Sequence, residues 1–302
     1  MAFLDTYRGY VPLWECDEMG HMNVQFYVAK SSDASYAMKA ALGLGPATFA
    51  QTTFVALEHH IRFHRELRTS DLVAMRSGIV RIGEKTLTLY QELREILSDS
   101  VAATITAEVG HMDLRSRKLV PWLAPAQEKA AALHVELPEM ARPRVMTAEA
   151  LDRGISLARA DEAGMIVSIR NAVNTPECDT NGHMNARFYM ARFSDAQGHF
   201  WAHIGIPRHE QAARGLATAT TEYRIAYLRE LRAGETVIVR TGLAGLTDKT
   251  VRMRHWMFEA ETGAPACIAE GIALLMDKTA RRAVPIPPDV RPAMERALIR
   301  AA

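Results

Sequence analysis

The amino-acid sequence predicts an α+β protein of two tandem domains, each an antiparallel sheet packed on one long helix. Three observations predict it. A stretch of thirteen residues occurs twice, 162 positions apart. Each copy runs into a helical segment with a single apolar stripe. Each helical segment is followed by several β-rich runs joined by short polar turns, and short connections between successive strands make an antiparallel sheet.

The first copy reads Glu15-Cys16-Asp17-Glu18-Met19-Gly20-His21-Met22-Asn23-Val24-Gln25-Phe26-Tyr27. The second reads Glu177-Cys178-Asp179-Thr180-Asn181-Gly182-His183-Met184-Asn185-Ala186-Arg187-Phe188-Tyr189, identical at nine of the thirteen positions. Ahead of the first copy, Val11 to Glu15 is apolar-rich and β-compatible, and the spacing predicts a strand that ends at Asp17. Gly20 breaks it. Asn23 is placed to cap a helix that runs to about Leu42, where Gly43 stops it. Phe26, Ala34, Ala37, Met38 and Ala41 form its apolar stripe, with Lys30, Ser32 and Lys39 expected largely on other faces. Thr52 to His64, Leu72 to Arg81, Thr86 to Arg94 and Val101 to Met112 then read as strands.

From Trp122 to Asp161 the chain changes character, with an Ala-rich helical run and then Pro138, Pro143 and Gly154. It is too apolar for a disordered tether and reads as an ordered linker with short helices. The second half repeats the first, with Ile166 to Glu177 as the opening strand and Asn185 to Ile204 as the helix. Beyond the helix the offset becomes 164: Arg65-Glu66-Leu67-Arg68 returns as Arg229-Glu230-Leu231-Arg232, and Met112-Asp113 as Met276-Asp277. The shift places a small insertion between helix and next strand. This is a duplication of the whole unit, with a period far too long for a solenoid.

Composition narrows the function. The 302 residues carry 36 Lys plus Arg and 35 Asp plus Glu, a net charge of +1. That gives no reason to invoke nucleic acid or a membrane surface as partner. Three cysteines argue against a disulfide framework and fit a reducing compartment. No basic-then-apolar leader opens the chain and no long apolar run crosses a bilayer, so a cytoplasmic location is expected.

Strand, Asp-x-x-Gly-His-x-Asn-x-x-x-Tyr, long helix and antiparallel sheet resemble the hotdog-fold acyl-CoA thioesterases, most closely the 4-hydroxybenzoyl-CoA and YbgC-like branch. The pattern stands as Asp17, Gly20, His21, Asn23, Tyr27 and again as Asp179, Gly182, His183, Asn185, Tyr189. The resemblance covers both halves. It implies two tandem hotdog domains, 1–122 and 162–302, joined by the linker 123–161 and forming an intramolecular pseudo-dimer with sites at the interface. It also implies that Asp17 and Asp179 act as nucleophile or general base, and that amides near Val24 and Ala186 donate to the thioester oxygen. His60 and its counterpart Arg224 would lie on a strand facing the Asp of the opposite half. The implied substrate is a small-molecule acyl-CoA, with coenzyme A part of the substrate, no separate cofactor, and further pairing of double-hotdog chains into a homo-oligomer open.

The chemistry suits these residues. Thioester hydrolysis needs a nucleophile and stabilisation of a developing oxyanion. A helix N-terminus supplies the second through unpaired amides and its positive dipole end. An Asp seven residues earlier supplies the first, by direct attack or by orienting a water. Gly20 and Gly182 allow a tight turn and keep a side chain out of the way. Asn23 and Asn185 either position substrate or cap the helix. His21 and His183 either line the site or satisfy a backbone carbonyl, and the first is preferred.

Other readings stand beside this one. Cys16 and Cys178 precede the Asp directly, so their side chains should face away, and buried inert thiols are expected. Asp33 and Asp195 recur on the helix, with a buried hydrogen bond favoured over catalysis. His199/His203 and His60/His64 share an i, i+4 spacing but lack a His-Glu-x-x-His pattern, so no metal site is expected. The Arg-rich segments Arg62 to Arg68, Arg224 to Arg232 and Arg281-Arg282 are candidates for CoA phosphates or solvated faces. Rival functions are an acyl-carrier-protein thioesterase, a hydratase (whose Asp-x-Asn-x-x-His spacing is not matched), and a non-catalytic acyl-CoA-binding module.

Overall fold

The computed structural model describes residues 3–45, 51–146 and 151–300. The chain divides into two compact units, Met1–Arg144 and Val145–Ala302.

In the first unit, β1 (Leu4–Tyr10) leads through a 3-10 turn (Leu13–Glu15) into the long helix α1 (Val24–Ala41). Strands β2 (Thr52–Phe63), β3 (Leu72–Ile82), β4 (Thr86–Glu95) and β5 (Ser100–Asp113) follow, then a short β6 (Lys118–Leu119) and α2 (Ala124–Ala132). The sheet runs β1-β3-β4-β5-β2, antiparallel throughout, with β6 on β5.

The second unit repeats this path. A short helix α3 (Leu157–Glu162) precedes β7 (Ile166–Ala172), a 3-10 turn (Thr175–Glu177) and the long helix α4 (Ala186–His203). After α5 (Arg208–Ala213) come β8 (Leu216–Tyr227), β9 (Thr236–Leu246), β10 (Thr250–Glu259), β11 (Pro265–Asp277), β12 (Arg282–Ala283) and α6 (Arg291–Arg296). Its sheet runs β7-β9-β10-β11-β8, the same order of equivalent strands. The expected insertion after the helix coincides with α5; residues 46–50, its counterpart in the first half, lie outside the described residues.

Each long helix lies on its own sheet, α1 against β1 and β3, α4 against β7 and β9. Met38, Leu42, Ile79, Leu87, Leu89 and Val109 fill the first core, and Phe200, Trp201, Leu243, Val251, Met253 and Leu275 the second. The stretch 123–161, expected as a linker, divides between the units. Val135 and Ala141 pack on Tyr90 of the first sheet, and Ile155, Ala160 and Ala163 on Trp256 and Phe258 of the second. Its apolar residues have found sheet faces to cover, which is why it is ordered.

Three local expectations are corrected. Val11–Glu15 is not strand: Pro12 removes a ladder donor, and Leu13 and Trp14 stand 70% and 76% exposed on a 3-10 turn. Thr175–Glu177 departs from the predicted opening strand in the same way. Lys30 and Lys39, expected off the buried face of α1, are only 2% and 7% exposed. Lys30 is neutralised by Glu15 at 2.6 Å, and Lys39 lies over the rings of Tyr36 and Phe54. Long alkyl stems with an ionic or aromatic partner bury well.

A polar layer runs beneath each helix. Thr6 Oγ1 donates to Met75 O at 3.2 Å and contacts Ser77 Oγ at 2.7 Å. At the matched positions Ser168 Oγ donates to Val239 O at 3.1 Å and meets Thr241 Oγ1 at 2.7 Å. Thr241 in turn meets His255 Nδ1 at 2.8 Å. With Ser168 donating to a carbonyl, the chain of donors runs from His255 Nδ1–H through Thr241 to Ser168. Gln91 stands where His255 does, and it hydrogen-bonds Ser31; in the second unit Phe193 replaces that serine and stacks on the His255 ring.

His255 is fully buried, and desolvation holds its pKa down to about 3. Unfolded, the imidazole titrates near 6.5. Below that pH the unfolded chain binds a proton that the folded chain refuses, so stability falls as pH drops from about 6.5 toward 3. His255→Gln, which installs the residue of the first unit, should flatten the decline. Urea unfolding midpoints at pH 7 and pH 4.5 check this, and an unchanged difference between the two pH values would count against it.

Candidate active site

Both repeated stretches form the same closed turn. Asp17 N donates to His21 O at 2.8 Å and Gly20 N to Asp17 O at 2.9 Å, with Cys16 and Met22 bridged across its base. The second copy does the same through Asp179, His183 and Gly182, both bonds at 3.0 Å, over a Cys178–Met184 bridge. Gly20 and Gly182 sit at φ +74° and +76°, a left-handed conformation that a side chain would strain.

The carboxyl group of each Asp organises its turn. Asp17 Oδ1 accepts from the amides of Met19 at 2.9 Å and His21 at 3.3 Å, and Asp179 Oδ1 accepts from Asn181 at 2.8 Å. Each Asp is half-buried rather than sealed. The turn then enters the helix. Asn23 Oδ1 caps Gln25 N at 3.1 Å and Asn185 Oδ1 caps Arg187 N at 3.0 Å, so capping is what these side chains do. Asn23 O takes the amide of Phe26 and Asn185 O that of Phe188. Neither bond uses the amides of Val24 or Ala186, the first residues of the two helices, which lie at the positive end of the helix dipole.

Two contacts hold this assembly from outside. Glu15 Oε2 takes Lys30 Nζ at 2.6 Å, from the second turn of α1 back to the residue two ahead of Asp17. Glu177 takes Arg192 in a fork, with bonds of 3.1 and 2.9 Å, and Arg192 also reaches Asn171 and the carbonyl of Ala172. Backbone bonds from Asn23 N to Glu15 O and from Asn185 N to Glu177 O, both 2.9 Å, close the same loop. On the far side, Met22 N donates to Leu67 O and Met184 N to Leu231 O, each at 2.7 Å. That contact brings in the recurring Arg-Glu-Leu-Arg segment. His21 Nε2 lies 3.3 Å from Glu66 Oε2. His183 Nε2 lies 3.5 Å from Glu230 Oε1, and its Nδ1 3.7 Å from Asp179 Oδ1.

The thiols are half-buried, not buried as expected. Desolvation, then the charges of Asp17 and Glu15, push the Cys16 thiol above its ordinary range, the opposite of an activated nucleophile. Asp33 and Asp195 are exposed. His60 and Arg224 lie in mid-strand on β2 and β8, opposite Thr106 and Glu270. Arg62 is spent on the carbonyls of Met140 and Arg142, Arg65 on Ser98 and Ser100, and Arg229 on Glu235, which leaves these three poorly placed for phosphates. Among the described residues no cluster of three or more His, Cys, Asp or Glu has metal-binding geometry. Sequence reasoning missed Lys30 and Arg192 because a charge on a helix reads as solvated. It noted the recurrence of Glu66 and Glu230 but had no means of bringing them to the histidines.

Residues 11–132 and 173–294 each match the thioesterase-like superfamily. The chain belongs to that superfamily. It is 34% identical over 123 residues to the L-carnitine dehydrogenase/betainyl-CoA thioesterase of Agrobacterium fabrum, a match covering 41% of this chain and 25% of that protein. It is 30% identical over 112 residues to the betainyl-CoA thioesterase of Pseudomonas aeruginosa, covering 37% of this chain and 70% of that one. The chain thus spans about a quarter of the first relative and about two thirds of the second. The crystal structure of a putative oleoyl thioesterase from Lactobacillus plantarum superposes with a TM-score of 0.68 at 18% identity, over 89% of this chain and 95% of that one. At that identity it bears on the fold alone. As a member of this superfamily, the protein is a tandem pair of hotdog domains.

Removing one charge of a buried ion pair strands the other, at about 3–5 kcal/mol. Lys30→Met should therefore destabilise the thioesterase-like fold by roughly that amount in urea unfolding, and Glu15→Gln added to it should restore part of the loss. Alkylation of Cys16 by iodoacetamide, followed by peptide mass spectrometry, should rise with pH only above the range of an ordinary cysteine, since burial and the carboxylates disfavour its thiolate.

Proposed function

We propose that this protein is an acyl-CoA thioesterase that hydrolyses a thioester to the free acid and coenzyme A. The observation that carries the reading is the repeated turn in which a half-buried Asp carboxyl is held a few residues ahead of a helix N-terminus. Asp17 and Asp179 are the reacting carboxylates. Each has two routes. It attacks the thioester carbon, expelling CoA thiolate and leaving a mixed anhydride that water opens, or it takes a proton from a water that attacks instead. In both, negative charge grows on the thioester oxygen. The first-turn amides of Val24 and Ala186 donate to it, strengthened by the helix dipole. His21 and His183 line the same turn.

The family and the names of the relatives support this reading, and betainyl-CoA is the first substrate to test because three relatives carry it in theirs. Among the described residues no helix is long and apolar enough to cross a membrane. The three free thiols suit a reducing compartment, and the reaction is proposed for the cytoplasm.

Asp→Asn is the informative substitution because the amide oxygen can still accept the turn's backbone bonds while the nucleophile is lost. Release of CoA is followed with a thiol-trapping dye across an acyl-CoA panel, with acyl-carrier-protein substrates alongside. Asp17→Asn with Asp179→Asn should lower turnover by about a hundredfold or more. The single variants show whether one site works or both. Full activity in the double variant would remove the carboxylates from the mechanism. Hydrolysis of carrier-protein substrates alone would replace CoA in the proposal, and no hydrolysis of either would favour a binding module.

A further inference from the structure

The recurring segment Arg65-Glu66-Leu67-Arg68 and Arg229-Glu230-Leu231-Arg232 lies outside the motif, and the function above does not use it. Its neighbours differ between the halves: His64 against Leu228, Thr69 against Ala233, Ser70 against Gly234. Something holds the four residues constant. For the leucine it is burial: Leu67 and Leu231 are fully buried, and each accepts the backbone bond that closes the motif turn. The leading arginines hydrogen-bond different groups, Arg65 a pair of serines and Arg229 the carboxylate of Glu235, and each also acts on the equivalent glutamate of its own half, Glu95 and Glu259. The glutamates approach the same group in both halves, the Nε2 edge of the motif histidine: Glu66 lies 3.3 Å from it in the first, while in the second Glu230 lies 3.5 Å away and His183 Nε2 makes no hydrogen bond.

The backbone delivers them rigidly. His21 is bridged to Arg68, and the amides of Arg68 and Arg232 are capped by Asp71 at 2.8 Å and Glu235 at 2.6 Å. Leu67 and Leu231 are fully buried while the adjacent Glu66 and Glu230 stay partly exposed, so leucine and glutamate take different sides of the segment. Stability does not explain the pairs. The side chains of Glu66 and Glu230 are 36% and 31% exposed, and ion pairs at that exposure contribute little. The histidines are a different matter, with side chains only 12% exposed. A nearly buried ring beside the reacting Asp needs one orientation, and a carboxylate on one edge supplies it. In the second unit the opposite edge, Nδ1, faces Asp179 Oδ1.

We propose that Glu66 and Glu230 are positioning residues, each holding its charge against the Nε2 edge of the motif histidine, Glu66 at 3.3 Å and Glu230 at 3.5 Å, and thereby fixing the orientation of the ring in the turn. The kinetic consequence rests on the hydrolase reading; the contact itself does not. The test is made on the full chain carrying 15N-labelled histidine, with Glu66→Ala, Glu66→Gln, Glu230→Ala and Glu230→Gln. The ring signals of His21 and His183 are identified by His→Gln variants. In each alanine variant the ring-nitrogen signals of the partner histidine should shift while those of the other histidines stay. Glutamine, which keeps an acceptor oxygen, should shift them less. In acyl-CoA hydrolysis the alanine variants should lose about tenfold to a hundredfold in kcat, as expected of a misplaced reacting group. KM should stay within about twofold, and glutamine should restore part of the rate. Unchanged ring signals overturn the proposal. So do shifted signals with unchanged kcat, or a change confined to KM. If the wild type hydrolyses no acyl-CoA, the hydrolase reading fails, while the ring signals still decide whether the glutamates hold the histidines.

Discussion

The site of each unit depends on one buried ion pair. Lys30 and Arg192 come from the second turn of a long helix and reach back to Glu15 and Glu177, two residues ahead of the Asp. Two charges removed from water persist only if each satisfies the other, so the helix cannot slide or rotate without breaking the pair. The Asn cap fixes the same helix from the other side of the turn. Between these two anchors the Asp, the Gly and the His have one arrangement open to them. The two units meet the demand differently. The lysine gives a single hydrogen bond and lies over the Tyr7 ring, whereas the arginine forks onto the carboxylate and bonds to Asn171 and Ala172 besides, as a planar guanidinium can and an ammonium cannot.

The layer beneath the helices shows what duplication leaves free. A hydroxyl bonded to a strand carbonyl, met by a second hydroxyl, is present in both units. The third member changed together with its helix partner: Ser31 with Gln91 in one, Phe193 with His255 in the other. The Ser31–Gln91 pair hydrogen-bonds itself, while His255 bonds Thr241 through Nδ1, stacks on Phe193 and leaves its Nε2 without a hydrogen-bond partner; glutamine beside Phe193 would leave an amide facing a ring. The scaffold has held while its interior chemistry diverged in pairs.

Where sequence reasoning erred, it erred at residues whose state depends on a partner far along the chain. Lys39 is charged, so it read as solvent-facing; two rings made a place for it. Val11 to Glu15 is apolar-rich and β-compatible, but Pro12 and a 3-10 turn intervene. Cys16 and Cys178 were expected to be buried, yet the tight turn leaves them half-covered. The long strands and both helices were legible to within a residue or two, because apolar periodicity and turn residues are local quantities.

By itself, then, the sequence determined the duplication, the order of helix and strands in each half, and the motif carrying an Asp, a Gly, a His and a capping Asn at set spacings. All of these follow from short-range pattern, since a cap acts within one helical turn and a glycine on its own backbone. Only the tertiary structure decided which distant charges close on the turn: Lys30 on Glu15, Arg192 on Glu177, and Glu66 and Glu230 on the histidines. The two glutamates stand more than forty positions from the rings they face. Their approach is set by sheet register and by the burial of Leu67 and Leu231, and neither is written in the residues near the motif.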